Sequence, residues 1–250
     1  MNINTTVFGG PGKRNLLAGI LVLAVAVFGS GSVWAQSESL KIGIIGTGRI
    51  GGALARHWVH AGYEVFVSSR HPNQLQSLAN ELGPRAHVGT PRQAAAFGDV
   101  VVVSVPYKAT PQIGQDYAAE LAGKVLLDTG NPFERRDGPM AAAALQKGVG
   151  LSSADFLHGT RLVRAYNCIP AASLAKDANR KPERIAIPIA SDDAGALKIA
   201  ERLIKDSGFD PVVVGSLKDS RLFELGQPLA SGQFTAAEMR RKLKEVRSEE

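Results

Sequence analysis

Leu40–Arg70, LKIGIIGTGRIGGALARHWVHAGYEVFVSSR, decides the fold. Lys41–Ile45 is a short apolar run rich in β-branched residues, and Gly46-Thr47-Gly48-Arg49-Ile50-Gly51 follows it at once with the spacing G-x-G-x-x-G. Ala53, Leu54, His57 and Trp58 then recur at helical spacing, and Tyr63–Val67 reads as a second strand. Strand, glycine turn, helix and strand make one βαβ unit of the length a dinucleotide site requires. Each glycine has its own reason. Gly46 turns the chain sharply off the strand, Gly48 lets a pyrophosphate approach the backbone, and Gly51 lets the helix pack close to the sheet. The free amides and dipole of the helix N-terminus then face the anion. Gly46, Thr47, Gly48, Arg49, Ile50 and Gly51 are therefore the candidate phosphate-binding residues.

The far end of the same stretch selects the nucleotide. In NAD-binding folds an acid at the end of the second strand hydrogen-bonds the ribose 2′-hydroxyl. Here the strand ends Val67-Ser68-Ser69-Arg70, with no acid. Ser69 and Arg70 offer a hydroxyl and a guanidinium, which suit a 2′-phosphate because Arg binds phosphate through a planar fork of charge-assisted bonds. The expected cofactor is NADP(H).

Strand and helix signals alternate after Arg70, which predicts a parallel, doubly wound sheet. Asn73–Leu82 reads as a helix stopped by Gly83-Pro84, and Ala86–Val88 as a short strand. Thr90-Pro91 reads as a capped helix start. Asp99–Val105, DVVVVSV, is a continuous apolar strand of the kind buried on both faces. Pro111–Leu121 reads as one helix, Lys124–Asp128 as a strand, Met140–Gln146 and Leu151–Leu157 as helices, and Arg161–Ala165 as a strand. Ile185–Ala190, Ala194–Ser207 and Pro211–Val214 continue the alternation, Asp219–Leu225 starts a helix, and Ala236–Glu250 is a charged helix or tail with a solvated face. Ligands bind beyond the carboxyl ends of strands in such sheets. Ser104, Val105, Pro106 and Tyr107 at one strand exit, and Thr129-Gly130-Asn131-Pro132 at the next, are candidates to line the cofactor.

Residues 1–36 stand apart. Lys13-Arg14 precede Leu16–Phe28, a run of 13 apolar or glycine residues too short for a comfortable membrane span, and Val33-Trp34-Ala35 resembles a signal-peptidase site. An export signal cleaved after Ala35 is the expectation, with an exported, periplasmic location. An uncleaved anchor, which would give membrane association through the N-terminus, and a cytoplasmic location remain the alternatives. The domain reading is residues 1–36 as signal or anchor, 39–160 as the nucleotide-binding domain, 161–235 as a smaller substrate-cleft element, and 236–250 as a charged tail.

The 250 residues carry a net charge of +6 and 44% hydrophobic residues, enough for a sizeable core. No basic cluster is interleaved with aromatics, which argues against nucleic acid as a partner. The one cysteine, Cys168, permits no intramolecular disulfide and reads as a small packed hydrophobe, and the five histidines show no ligand spacing for a metal. No Ser-Tyr-Lys, His-Asp or Lys-centred set stands ready to protonate an alkoxide or amine. Ketone reduction needs a positioned acid. Hydride transfer to a flavin or deazaflavin does not, because the acceptor ring stores the charge and positioning carries the catalysis.

GIIGTGRIGGALARHWVHAGYEVFVSSR, VVVSVPY, VLLDTGNP, RLVRAYNCIPA and GFDPVVVGSLKDSRLFE together resemble the NADPH-dependent coenzyme F420 reductase family, over about Leu40–Ala230. The reductase domain of the STEAP ferric reductases is similar. The resemblance implies an α/β fold, a Rossmann-type doubly wound parallel sheet with a small C-terminal α/β element. It implies a phosphate loop at Gly46–Ile50, a 2′-phosphate clamp at Ser69 and Arg70, and a nicotinamide-side segment including Val105, Pro106, Ala165 and Asn167. Gln74 stands where the family carries a lysine. The expected activity is NADP(H)-dependent hydride transfer between the nicotinamide and coenzyme F420 or a flavin-like small-molecule acceptor. Reduction of a flavin or ferric chelate is the alternative within enzymes, and a non-catalytic NADP-binding sensor is the alternative outside them. A homodimer stays open.

Overall fold

The computed structural model describes residues 40–230 and 233–249. The expectations for residues 1–36 lie outside the described residues. The strands are β1 Ile42–Ile45, β2 Val65–Ser68, β3 Ala86–Gly89, β4 Val100–Val103, β5 Val125–Asp128, β6 Arg161–Arg164, β7 Ala186–Ala190 and β8 Asp210–Gly215. They form one sheet in the order β3-β2-β1-β4-β5-β6-β7-β8. The first six strands run parallel, as expected. β7 meets β6 antiparallel at Arg164↔Ala190, and β8 runs parallel to β7, so the sheet is mixed at its C-terminal side. The order reverses between β1 and β4, which puts a crevice at their carboxyl ends.

The helices are α1 Arg49–His60, α2 Gln76–Leu82, α3 Pro91–Phe97, α4 Thr110–Asp116, α5 Ala118–Leu121 and α6 Glu134–Asp137. Then come α7 Pro139–Lys147, α8 Val149–Phe156, α9 Ala171–Lys176, α10 Ala194–Asp206 and α11 Ala236–Ser248. Because successive strand side chains point to opposite faces, IGII, VVVV and VLLD feed two cores at once. Ile42, Ile44, Val100, Val102, Val125 and Leu127 pack with Leu54 and Trp58 of α1, Leu174 of α9 and Leu203 of α10. Ile45, Val101, Val103 and Leu126 pack on the other side with Ala95 of α3, Ile113 of α4 and Leu121 of α5. Trp58 is wholly buried, and its indole N–H donates to the Leu203 carbonyl at 2.9 Å, which satisfies its one polar atom.

Local signals held where they had a mechanism. Thr90 caps α3 through a reciprocal capping box with Gln93, and Pro91 opens the helix. One expectation is corrected, one helix is new and one gains a buried face. The segment Pro111–Leu121 is two helices, because Tyr117 leaves helical geometry (φ −118°, ψ 21°) and Arg92 lies over its ring at 5.2 Å. The helix α9 was not foreseen from its six residues. The helix α11 has the charged, solvated face expected of it, but its other face is packed: Met239 and Leu243, four residues apart, lie in a third core with Val212, Val214 and Phe223.

The tightest constraint on the sheet is backbone against backbone. A Cβ on Gly43 in β1 would lie 2.0 Å from the Ala94 carbonyl oxygen of α3. Neither atom sits on a side chain that can swing aside. Gly43→Ala is therefore expected to lower stability by about 1–3 kcal/mol, the cost of overpacking, in a urea-denaturation midpoint. An unchanged midpoint would contradict the close approach.

Candidate functional site

The glycine loop closes the crevice between β1 and β4. Gly46 takes φ +92°, and a Cβ there would meet the Ser104 carbonyl oxygen at 2.4 Å and Val105 Cγ1 at 2.6 Å. The Ser104 amide in turn donates to the Ile45 carbonyl at 2.9 Å. Two segments distant in sequence, Gly46–Gly51 and Ser104–Pro106, are thus one wall. Gly51 is equally constrained, with its Cβ position 2.3 Å from the Gly46 oxygen. Gly48 differs from both, for nothing lies within 4 Å of its Cβ position. The space in front of Gly48 is open, and the amides of Arg49, Ile50 and Gly51 behind it make no hydrogen bond among the described residues. An open cradle lined by orphan amides at the start of a 12-residue helix is what a pyrophosphate requires. Arg49 stands exposed on its rim, and Ile50 is half-buried.

Thr47 locks the loop to β2. Its hydroxyl donates to the Ser68 carbonyl at 3.1 Å and accepts from the Ser68 amide at 3.0 Å, while its own amide also donates to that carbonyl. The Ser68 hydroxyl, fully buried, donates to the Ile44 carbonyl at 2.6 Å. This lock holds the exit of β2 beside the loop. Ser69 accepts the His71 amide on its hydroxyl oxygen at 3.0 Å, which leaves that hydroxyl's proton free to be donated outward. Arg70 is exposed and forms no ion pair among the described residues.

The other side of the crevice is built from the exits of β5 and β6. The half-buried Asn131 donates from its amide nitrogen to the Asn167 carbonyl at 2.6 Å, and Asn167 donates from its own to the Phe223 carbonyl at 3.0 Å. Ala165 is wholly buried, and its amide donates to the Asp128 carbonyl at 3.1 Å, so it spaces the two exits and offers no surface. Sequence reasoning missed the pair underneath. Asp128 and Arg164 face each other across β5 and β6, both fully buried, at 2.7 Å. The signal was present in VLLD and RLVR, two strand ends of opposite charge, but only the strand register pairs them.

Besides this ion pair, Tyr107, Tyr166 and Cys168 near the strand exits are held neutral. Burial pushes the Tyr107 phenol far above its ordinary value, against the pull of its bond to Ser153, whose Oγ lies 3.0 Å away. Burial does the same to Tyr166, bonded to Ser207 at 2.9 Å, and raises the Cys168 thiol to about 12. A low-pKa thiolate is the reactive form of cysteine, so Cys168 is inert as expected.

Comparison with known proteins agrees with this geometry. The family model described as NADP oxidoreductase, coenzyme F420-dependent, matches residues 41–132. The F420-dependent NADP reductase of Methanothermobacter thermautotrophicus is 31% identical over 204 residues, 76% of this chain and 87% of that protein. The rat metalloreductase STEAP3 is 30% identical over 194 residues, 75% of this chain, but the chain spans only 36% of that longer protein. The crystal structure of the Sinorhizobium meliloti protein SMa0349 superimposes with a TM-score of 0.69 at 26% identity, covering 81% of this chain and 98% of that one.

Two substitutions separate the loop from the clamp. Gly48→Val is expected to keep wild-type stability, because its Cβ position is open, and to weaken NADPH and NADH alike. Arg70→Ala is expected to weaken NADPH by about tenfold to a hundredfold and leave NADH nearly unchanged, the loss of one charge-assisted bond. Fluorescence titration with both coenzymes reads each outcome, and equal losses in Arg70→Ala would remove Arg70 from the clamp.

Proposed function

The chain belongs to the family of coenzyme F420-dependent NADP oxidoreductases, and on that premise we propose that it moves a hydride between the nicotinamide of NADP(H) and a deazaflavin of the F420 type. That it is an NADPH-dependent oxidoreductase follows from its family. The observation that supports this acceptor class is the neutral wall at the exits of β4 and β6, where Tyr107, Tyr166 and Cys168 are all held protonated by burial. A carbonyl substrate needs a proton delivered to oxygen by a group poised near the working pH. Tyr107 and Tyr166 are buried and bonded inward, to Ser153 and Ser207, and all three groups are poised far from that pH.

When bound, the coenzyme would give or take the hydride, and the side chains supply place. The amides of Arg49, Ile50 and Gly51 would take the pyrophosphate, with the helix dipole behind them. Ser69 and Arg70 would take the 2′-phosphate. Val105 and Pro106 would bound one side of the nicotinamide, and Asn131 and Asn167 the other. Holding two rings in reacting geometry, with water kept out, accounts for a large share of the barrier in such transfers.

A second reading has its own observation. The similarity to STEAP3 extends over 75% of this chain, and that relative is named a metalloreductase. On this reading the same NADP(H) site would serve a flavin or a ferric chelate.

Stopped-flow oxidation of NADPH by F420, FMN and a ferric chelate discriminates the two. F420 is expected to react fastest, with a hydride-transfer rate flat between about pH 6 and 9, because a phenol or thiol whose pKa is raised stays protonated throughout that window. Faster turnover with FMN or ferric chelate would favour the second reading. A bell-shaped profile would reveal an acid or base that the geometry does not supply.

A further inference from the structure

We propose that the buried Asp128–Arg164 pair is the positioning device for the nicotinamide half of the cleft. It fixes the Gly130 peptide, and through it the Asn131–Asn167 contact. The proposal rests on the exits of β5 and β6 being the nicotinamide wall.

The hydrogen bonds run in one direction. Arg164 Nη1 donates to Asp128 Oδ2 at 2.7 Å, to the Asp128 carbonyl at 3.3 Å and to the Gly130 carbonyl at 2.8 Å. The other carboxylate oxygen, Asp128 Oδ1, accepts the Gly130 amide at 2.8 Å. Both polar backbone groups of Gly130 are therefore held by the ion pair. There is no slack around it, since a Cβ on Gly130 would stand 3.0 Å from Asp128 Oδ1 and 3.0 Å from Tyr107 Cδ2. The next residue is Asn131. Its side chain reaches Asn167, and its carbonyl accepts from Arg136 Nη2 at 2.7 Å. The segment from Arg164 to Asn167 is itself constrained: Tyr166 takes φ +61°, a conformation that L side chains avoid, and its hydroxyl is tied to Ser207. Non-glycine residues held in that region cluster at functional sites, where the surroundings over-determine them.

Strand pairing alone does not call for this arrangement. Two apolar side chains of similar volume hold adjacent strands as well as a buried ion pair, or better. What they cannot do is hydrogen-bond a loop peptide. Arg164 Nε and Nη2 have no partner among the described residues, so the cation's hydrogen bonds all go to the exit of β5. An arginine buried with idle donors is costly, and the one thing it secures is the backbone leading into Asn131.

The test compares NADPH with 2′-phospho-ADP-ribose, which carries the same pyrophosphate and 2′-phosphate and lacks the nicotinamide. Titration calorimetry of the full chain is expected to show that the wild-type protein prefers NADPH. The double variant Asp128→Leu/Arg164→Met keeps volume and removes both buried charges. It is expected to lose about tenfold of the NADPH affinity, the worth of one ordinary hydrogen bond, while its affinity for the fragment stays within about twofold of wild type. Asn131→Ala, at a half-buried position, is expected to move the same ratio in the same direction, and Arg164→Lys, which keeps the buried charge but gives up the guanidinium's bond to the Gly130 carbonyl, decides the matter by the same ratio if the double variant does not fold. An unchanged ratio in these variants, or equal weakening of both ligands, overturns the proposal in favour of a purely structural pair. A wild-type protein with no preference for NADPH overturns the nicotinamide-wall reading itself, and the proposal with it.

Discussion

The constraint on which this structure depends is the contact of backbone with backbone at the switch point of the sheet. β1 must end against β4 with no side chain between them, and α1 must then start close enough to offer its amides to the same crevice. Gly46 and Gly51 meet these two demands, each with a main-chain oxygen where a Cβ would stand. Gly48 alone faces open space. Three glycines of one motif thus divide into two that are filled by the protein and one that is left for a ligand. Moving the helix outward to admit side chains at Gly46 or Gly51 would carry the orphan amides away from the crevice, so the packing of the fold and the anion site are the same requirement seen twice.

Much of this was legible in sequence because it is local. A β-branched run, a glycine spacing, a Thr-Pro start and an apolar period each act over a few residues, and they identified the strands β1–β8 and the long helices. The glycine loop and the Ser69–Arg70 exit of β2 were legible as structure for the same reason. What escaped depended on partners far along the chain. Tyr117 breaks a helical pattern where its ring lies under Arg92, 25 residues earlier. The charged surface of α11 hid Met239 and Leu243, which become core only once β8 lies beneath them. The antiparallel step between β6 and β7 leaves no mark in either strand, since β7 is buried throughout and β6 is buried in all but its first residue, so neither shows a one-sided pattern. The Asp128–Arg164 pair was hidden in another way, by lying at the ends of strands read only for their hydrophobic content.

The two halves of the cleft use opposite electrostatics. On the phosphate side, the dipole of α1, Arg49 and Arg70 lie at or near solvent, where a cation attracts a phosphate without paying to be desolvated. On the other side the charges close to the wall among the described residues are paired, Arg164 with Asp128 inside it and Arg136 with Asp137 at its edge, and the phenols are held neutral. That division suits a reaction in which the phosphates anchor and the rings react. An exposed charge beside the nicotinamide would bring water with it and give a proton somewhere to go. A buried pair confers rigidity through directed hydrogen bonds while presenting no net charge, and it does so at strand ends, the most rigid points from which a loop can be held. A dry, neutral wall hung from a buried ion pair can align a ring without taking part in its chemistry, which is all that hydride transfer between two conjugated rings asks of a protein.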